Sequence, residues 1–365
     1  MAVNAEFWRD KTVLVTGHTG FKGSWLCLWL QQLGANVVGY ALPPQTTPNL
    51  FGQAQVGKDI NSVVGDIRDL ENLAKAVQQH KPQIVFHMAA QALVRDSYAD
   101  PIGTYSTNVM GSLNVLESIR HNASVRAAVM VSSDKCYDNQ ETAKAFSESD
   151  PMGGHDPYSS SKGCMEILVS SYRSSYFSDP LQDTAAIATA RAGNVIGGGD
   201  WAPNRLVPDI LNAMQHGQAI TLRYPNAVRP WQHVLEPLSG YMLLAEKLYT
   251  QGNKYAQSWN FGPALNGAKT VKWIVDYLIK KSGKNIPVIL DKNVNLHESQ
   301  QLKLDCTKAQ QSLDWYPRWD ISTNLDKVLE WYLYNENDKR AVCLAQIKDF
   351  SISKVSKVSK LCNAM

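Results

Sequence analysis

The sequence predicts an α/β fold in which a Rossmann-type, doubly wound parallel sheet is followed by a smaller mixed cap. Up to residue 190, short apolar runs rich in β-branched residues alternate with amphipathic stretches of helical length. This alternation is typical of parallel strands joined by crossover helices. After Arg191 the alternation stops, and the chain becomes rich in Gly, Asn, Asp and Pro and then in Trp and Tyr. The change in composition predicts that the cap begins there.

Local signals justify each element in turn. Apolar runs that end at Gly, Pro or polar residues predict buried strands, and these lie at 11–16, 36–40, 61–64, 84–87, 127–132 and 185–190. Apolar residues that recur every three or four positions predict helices, and these lie at 24–33, 69–80, 101–121 and 158–177. Gly34 suits the position just past a helix end, and Pro82 follows the second helix.

Composition narrows the class of protein. A chain of 365 residues can bury a large core in one domain or in two closely packed ones. Its formal charge of +3 is too small to predict nucleic-acid binding, and no apolar run is long enough to cross a membrane. The six cysteines form no Cys-x-x-Cys pair and the eight histidines are scattered, so no metal site is expected. Without a signal-peptide pattern, we expect a cytoplasmic protein with reduced thiols.

Three glycines, Gly17, Gly20 and Gly23, follow the first predicted strand and open the first helix. This spacing lets the backbone turn tightly and brings a pyrophosphate to the helix N-terminus, where free N–H groups attract anions. The acid expected after the second strand is missing, because the sequence at 38–42 is VGYAL. The choice between NAD and NADP therefore stays open locally. Asp66, after the third strand, is either an acceptor for the adenine amine or a turn residue.

Tyr158 and Lys162 lie four residues apart and share one helix face. An ammonium beside a phenol favours the phenolate and lowers the tyrosine pKa, so that the pair can take a proton from a sugar hydroxyl. An ordinary solvated helix face is the alternative, since this spacing is common by chance. Ser133, Asp134 and Lys135 follow a strand, where they either handle a hydroxyl and a proton or simply form a polar turn.

Arginines are the candidates for contacts with a phosphorylated ligand, because a guanidinium fork matches phosphate oxygens. They are Arg191, Arg205 and Arg229, although each alone is more often a surface ion-pair partner. The segment RPWQH at 229–233 sets one charge in a stiff aromatic stretch, which favours a nucleotide pocket. His297 either joins that pocket or lies in a solvated loop.

Six segments together resemble the extended short-chain dehydrogenase/reductase superfamily, in its nucleotide-sugar dehydratase branch, over roughly residues 8–335. The resemblance is closest to the members that act on CDP-glucose. The segments are TGHTGFKG at 16–23, HMAAQALVR at 87–95, SSDKCY at 132–137, YSSSK at 158–162, ARAGNVIGGGDW at 190–201 and RPWQHVLEP at 229–237. Two positions depart from the broader dehydratases, which carry Thr-Asp-Glu where this chain has Ser133, Asp134 and Lys135.

The resemblance implies a lyase that holds NAD tightly and converts CDP-glucose to CDP-4-keto-6-deoxyglucose, for dideoxysugar and O-antigen lipopolysaccharide synthesis. It implies that Tyr158 takes the proton of the 4-hydroxyl and that Lys162 lowers the pKa of Tyr158 and holds the ribose. Ser133 would orient the 4-oxygen, and Asp134 would protonate the departing 6-hydroxyl. Lys135 would be either the base at carbon 5 or a stabiliser of the enolate.

The resemblance also implies the binding positions. For NAD these are Gly17, Thr19, Gly20, Phe21, Lys22, Gly23, Asp66, Ile67, Ala89, Ala90, Gln91, Asn108, Ser132, Tyr158 and Lys162. For the sugar nucleotide they are Asn194, Arg205, Arg229 and His297. A nucleotide-sugar epimerase on the same fold and an NAD-sensing regulator without turnover remain the alternatives. The superfamily's pairing of long helices implies a homo-oligomer, either a dimer or a tetramer.

The predicted organisation has three parts. Residues 1–190 form the NAD-binding domain, to which 231–262 returns. Residues 191–340 form mainly the sugar-nucleotide region. Residues 341–365, with the repeat KVSKVSK, are expected to be a frayed tail.

Overall fold

The computed structural model of the chain describes residues 2–141, 144–178, 184–264, 267–284, 286–291, 302–335 and 338–354. The strands in these ranges are β1 Thr12–Thr16, β2 Asn36–Ala41, β3 Asn61–Val64, β4 Ile84–His87, β5 Ala127–Val131, β6 Ala186–Ala192, β7 Val195–Ile196, β8 Ile220–Leu222, β9 Val228–Arg229, β10 Gln232–His233, β11 Ser258–Phe261, β12 Lys269–Thr270 and β13 Val288–Leu290.

The α-helices in the same ranges are α1 Ala5–Trp8, α2 Phe21–Gln32, α3 Leu50–Gln53, α4 Leu70–His80, α5 Val94–Ala99, α6 Pro101–Tyr105, α7 Gly111–Arg120, α8 Pro157–Tyr176, α9 Leu206–His216, α10 Leu235–Gln251, α11 Val271–Ser282, α12 Thr307–Leu313, α13 Ile321–Leu333 and α14 Arg340–Ile352. In this part of the chain, no helix is long and apolar enough to cross a membrane.

Seven parallel strands form the main sheet, in the order β11-β6-β5-β4-β1-β2-β3. The strand order reverses between β1 and β4, and in open α/β sheets a crevice opens there at the carboxyl ends of the strands. The predicted fold class is therefore confirmed. Strands β1 to β6 fall on the six predicted runs, with ends that differ by at most two residues.

Both faces of the sheet are covered because successive strand residues point to opposite sides. Val13 and Val15 belong to one buried cluster, with α2, α10 and α14. Leu14 belongs to a second cluster, with α4, α7 and α8. The sheet is thus the middle layer of three, as parallel sheets require.

The cap has a core of its own, built from α9, α11 and α13 and from short strand pairs such as β8 with β13. Residues 235–261 leave the cap again, since α10 packs on the sheet and β11 pairs with β6.

The predicted helix at 101–121 is helical over residues 101–120, but its middle is not an α-helix. A π-helical stretch, Ser106–Met110, separates α6 from α7. A π-stretch adds a residue to a turn and often marks a functional position. Asn108 lies within it.

The expected frayed tail at 341–365 is wrong for residues 341–352, which belong to α14. This helix buries Val342, Cys343, Ile347 and Phe350, and the Phe350 ring meets Trp29 of α2 edge-on at 5.7 Å between centroids. The burial of these apolar side chains stabilises residues 341–352 as a helix, although a polar repeat follows them in the sequence. Residues 355–365, which include most of that repeat, lie outside the described residues.

Candidate active site

The glycine loop between β1 and α2 has the geometry of an anion cradle. Gly17 has a φ of +76°, and a Cβ there would lie 2.7 Å from the backbone nitrogen of Ala89. A Cβ on Gly23 would lie 2.2 Å from the carbonyl oxygen of Gly17, so only glycine allows this approach. Gly20 caps α2 without a side-chain hydrogen bond, which leaves the first N–H groups of a twelve-residue helix for a ligand. The loop therefore fits a dinucleotide pyrophosphate.

The segment after β4 borders the same crevice. Asn108 Oδ1 accepts a hydrogen bond from the backbone of Gln91 at 2.9 Å, and its Nδ2 donates to Ser161 Oγ on α8 at 2.9 Å. The amide nitrogen of Ala89 lies 3.2 Å from Thr16 Oγ1, on β1. Asn108 thus ties the predicted cofactor segment 89–91 to the helix that carries Tyr158.

The predicted adenine end lies farther along the sheet, after β3. Asp66 accepts a hydrogen bond from the backbone of Arg68 at 2.9 Å and forms an ion pair with its guanidinium. The hydrogen bond with Arg68 lowers the pKa of Asp66. The turn role that the sequence left open is therefore present, and a contact with adenine stays a prediction. Ile67 is buried against Gly111, and Thr19 Oγ1 donates to the carbonyl oxygen of Leu42 at 2.8 Å.

The strand that precedes the catalytic candidates ends at Val131, and a 3-10 turn begins at Asp134. Ser133 Oγ accepts the Lys135 N–H at 3.2 Å and donates to Asp134 Oδ1 at 3.2 Å. Because the chain turns here, adjacent side chains need not point to opposite faces of a sheet. Ser132 is buried beside this turn, and its N–H donates to the carbonyl oxygen of Ala190.

Asp134 is 2% exposed, and its Oδ2 has no hydrogen-bond partner within the described residues. Burial raises its pKa, while Lys135, Ser133, Lys22 and Arg229 oppose the rise. A buried carboxyl with a free oxygen and a raised pKa is suited to donate a proton.

Helix α8 presents Tyr158 and Lys162 on one buried face. It begins where Asp156 caps it and Pro157 takes its first position. Tyr158 interacts with the Ser133 hydroxyl, and Lys162 Nζ donates to the carbonyl oxygen of Val131 at 3.2 Å. Burial lowers the pKa of Lys162 to about 8.

In the protein alone, burial raises the pKa of Tyr158 to about 12, and the hydrogen bond with Ser133 and the charge of Arg205 act against that rise. The protein's own groups therefore favour the protonated phenol. A helical spacing cannot predict this outcome, because the spacing carries no information on burial. A lowering of this pKa by Lys162 stays a prediction.

The predicted substrate residues differ in their surroundings. Arg205, just before α9, forms an ion pair with Asp200 at 2.9 Å. Arg229 is buried, interacts electrostatically with Asp134 and donates from Nη1 to the Val228 carbonyl oxygen. Asn194 is half-buried between β6 and β7, and its carbonyl oxygen accepts the Gln232 N–H at 3.0 Å. His297 lies outside the described residues.

Of the two interpretations left open for Arg191, the ion-pair partner is present rather than the phosphate contact, although the pair is buried and not at the surface. Its guanidinium is 3% exposed and forms an ion pair with Glu166 at 2.8 Å, while Nη1 donates to Tyr137 Oη at 2.7 Å. Glu166 also accepts a hydrogen bond from Thr189 Oγ1. Arg191 thus belongs to a buried polar network beneath the crevice.

Comparison with known proteins decides the family. A family model described as GDP-mannose 4,6 dehydratase matches residues 14–328. The chain belongs to this family. It is 50% identical over 332 residues to CDP-glucose 4,6-dehydratase of Salmonella typhimurium, covering 90% of this chain and 92% of that protein. It is 24% identical over 345 residues to a dTDP-glucose 4,6-dehydratase of Xanthomonas campestris, covering 89% and 94%.

Solved structures agree in fold with this member of the GDP-mannose 4,6-dehydratase family. UDP-glucose 4-epimerase of Thermotoga maritima, with UDP-glucose, has a TM-score of 0.77 at 24% identity and covers 88% of this chain and 98% of that one. dTDP-glucose 4,6-dehydratase of Bacillus anthracis, in complex with NAD, has a TM-score of 0.74 at 22% identity and covers 91% and 100%. The family resemblance that the motifs predicted is confirmed.

Two functional candidates in this dehydratase-family chain, Glu166 and Asp200, escaped the sequence analysis, and a third, Lys22, has interactions that it did not predict. Lys22, expected only to bind cofactor, interacts electrostatically with Asp134 and Lys162, and burial lowers its pKa to about 8. Glu166 follows Lys162 by four residues, a spacing that predicts a shared face. Asp200 lies inside a segment quoted for its resemblance, but no local signal shows that its carboxylate meets Arg205.

Proposed function

We propose that this chain is a CDP-glucose 4,6-dehydratase that uses NAD. The observation that carries the proposal is the 50% identity to a CDP-glucose 4,6-dehydratase over 90% of this chain. The crevice supports it, because Tyr158 interacts with Ser133 and Asp134, and Lys162 Nζ donates to the carbonyl oxygen of Val131 at the end of β5.

NAD is the proposed cofactor, held by the glycine loop and the segment 89–91. When bound, NAD would accept hydride from carbon 4 of the sugar and return it to carbon 6. The uncapped N-terminus of α2 supports a pyrophosphate, and Lys162, a buried cation, supports a ribose hydroxyl. The positive charge of the nicotinamide ring, near Tyr158, would also lower the raised pKa of Tyr158.

The chain's own groups would then move the protons. Tyr158 takes the proton of the 4-hydroxyl as carbon 4 is oxidised, and Ser133 holds the same oxygen. The resulting ketone acidifies the proton on carbon 5. Asp134, whose buried carboxyl is poised to be protonated, gives its proton to the departing 6-hydroxyl, which leaves as water. Lys135 either takes the proton from carbon 5 itself or stabilises the enolate while water takes that proton.

An epimerase is the second candidate, because a UDP-glucose 4-epimerase shares this fold. Epimerisation needs no acid for a leaving hydroxyl, so the free oxygen of Asp134 favours elimination. A regulator that only binds NAD would not need Tyr158 and Lys162, because it transfers no proton.

The test is a panel of CDP-, dTDP-, GDP- and UDP-hexoses with the purified protein. We expect CDP-glucose to have the highest kcat/KM, by at least about tenfold, which corresponds to roughly 1.4 kcal/mol. The 4-keto-6-deoxy product is followed by its absorbance in alkali, and NADH should not accumulate. Equal turnover of dTDP-glucose, or a C4-epimer as the product, contradicts the proposal.

We also propose that the enzyme is a homo-oligomer in the cytoplasm. Apolar side chains on the outer face of α6, the π-stretch and α8 support self-association, since Ile102 is 82% exposed and Met110 and Ile167 are more than half exposed. This outer helix face is defined by Pro101, Ile102, Tyr105, Val109, Met110 and Ile167. A second copy, by pairing the same face, would bury it on both sides. The support for a cytoplasmic location is the sequence.

A further inference from the structure

The segment 197–201 (GGGDW) is clamped between two helices. A Cβ on Gly198 would lie 1.9 Å from Trp331 Cγ of α13, and the Gly198 carbonyl accepts a hydrogen bond from Trp25 Nε1 of α2 at 2.9 Å. The Trp201 ring meets Tyr332 edge-on, at 5.3 Å between centroids. The segment therefore has a fixed position relative to the glycine loop that opens α2.

Asp200 is the charged residue of this clamped segment and is 4% exposed. Its Oδ1 accepts the Ala202 N–H at 3.2 Å, and its Oδ2 accepts Arg205 Nη1 at 2.9 Å. Its backbone carbonyl accepts a hydrogen bond from Tyr332 Oη at 2.8 Å. Both oxygens of the carboxylate are thus held, and one of them holds an arginine.

Arg205 in turn extends from this buried anchor toward the crevice. Its side chain is 34% exposed, whereas that of Asp200 is buried. Its other electrostatic partners include Tyr158 and Lys22. Lys22 also interacts with Asp200. One buried carboxylate therefore interacts with two cations, and each of these also interacts with a candidate catalytic residue, Arg205 with Tyr158 and Lys22 with Asp134.

We propose that Asp200 is a positioning residue that fixes the Arg205 guanidinium, beside Lys22, in the orientation that receives the diphosphate of the sugar nucleotide. A free arginine side chain loses rotamer freedom when it binds a ligand, and a partner that has already ordered it removes that cost. The inference rests on the proposed function, because it takes a diphosphate ligand as its starting point.

The sign of the effect separates positioning from simple charge. A carboxylate close to a diphosphate repels it, so removal of that charge alone would strengthen binding. If Asp200 acts by holding Arg205, its removal weakens binding instead. The two accounts predict opposite changes for Asp200→Asn, which keeps the size of the side chain and an oxygen for the Ala202 N–H.

The experiment is a double-mutant cycle on the full chain with its bound cofactor, using Asp200→Asn, Arg205→Gln and the double variant. We expect Asp200→Asn to raise KM for CDP-glucose and Kd for CDP by about tenfold, with kcat changed by less than about threefold. In the Arg205→Gln background the same substitution should cause no further loss. Asp200→Ser, which is smaller, replaces Asp200→Asn if that variant fails to fold.

Unchanged or tighter binding in Asp200→Asn overturns the inference, and so do equal losses in both backgrounds. The matched control is Asp326→Asn, which removes a carboxylate paired with Lys281 at 3.0 Å on the surface of the cap. Its KM should equal that of the wild type. If the wild type converts a different sugar nucleotide, the proposed function fails on its own, and the cycle is measured with the nucleotide that is converted.

Discussion

At the scale of single residues, Tyr158 carries the oxidation step of the proposed reaction. Tyr158→Phe keeps the ring and removes the hydroxyl that interacts with Ser133. We expect turnover to fall by about 10²–10⁴-fold, the usual contribution of a positioned acid or base. Initial rates and the bound NAD of the purified variant are the measurements. NAD content should match the wild type, and near-normal turnover would remove Tyr158 from the mechanism.

His87, at the end of β4, makes the stability of the fold depend on pH in the acid range. It is 1% exposed, with Nδ1 2.8 Å from Thr16 Oγ1 and Nε2 2.9 Å from Ser112 Oγ. Burial, helped by the charge of Lys162, lowers its pKa to about 3. Below its ordinary value of 6.5 the unfolded chain takes up the proton first, so stability falls as pH falls toward the folded pKa.

His87→Gln should therefore flatten part of this pH dependence. At pH 7 the variant should be less stable than the wild type, since it loses buried hydrogen bonds. Between pH 6.5 and 4.5 the gap should close by about 2–3 kcal/mol, because the wild type loses the contribution of the neutral imidazole. Urea unfolding at a series of pH values measures the gap. Parallel curves for the two proteins would show that His87 does not titrate as described.

At the scale of elements, the clamped segment 197–201 depends on the absence of side chains. Gly198→Ala places a methyl group against Trp331, whose indole Nε1 donates to Cys343 Sγ at 3.2 Å and is fully buried. Overpacking of this kind costs about 1–3 kcal/mol. Gly267→Ala is the control, because among the described residues the nearest atom to its new Cβ is Pro263 Cβ at 3.6 Å. The midpoint of thermal unfolding should be lower for Gly198→Ala than for Gly267→Ala. Equal midpoints would mean that Trp331 moves to make room for the methyl group at little cost.

Helix α14 should contribute to stability in proportion to its buried face. The Phe350 ring meets Trp319 edge-on at 5.0 Å between centroids and is fully buried. Phe350→Ala should cost about 3–5 kcal/mol in the free energy of unfolding by urea. Ile352→Ala, on the same helix but 74% exposed, should change it by less than about 0.5 kcal/mol. Similar small losses of the free energy of unfolding in both variants would show that α14 does not stabilise the fold.

At the scale of the whole molecule, self-association should depend on the outer helix face. Ile102→Asp puts a charge on its most exposed apolar residue, and burying an unpaired charge between two copies is costly. Light scattering after size exclusion should give an oligomer for the wild type and a smaller species for the variant. Leu333→Asp, on an exposed position of α13, is the control and should leave the mass unchanged. A wild-type monomer at all concentrations would contradict the proposal.

The division into domains at residue 190 stays a prediction for the whole molecule. The sheet receives β11 and α10 from beyond that point, and the cap has a separate core. Limited proteolysis of the full chain would locate the boundary.

The sequence by itself determined the order of β1 to β6, the glycine loop and the shared face of Tyr158 and Lys162, because these depend on periodicity and spacing along one segment. It also determined the family, through short motifs whose residues are contiguous. Only the tertiary structure decided which arginine serves which role. No local sequence signal separates Arg191 from Arg205, yet Arg191 forms a buried ion pair with Glu166, whereas Arg205 is partly exposed and interacts with Tyr158.

Burial likewise decided that the pKa of Tyr158 is raised and that residues 341–352 are helical. The desolvation that raises the pKa of Tyr158 comes from chain segments brought together by the fold, and so does the apolar surface that holds α14. Neither quantity has a local signal, because the cost of burying a group depends on what covers it.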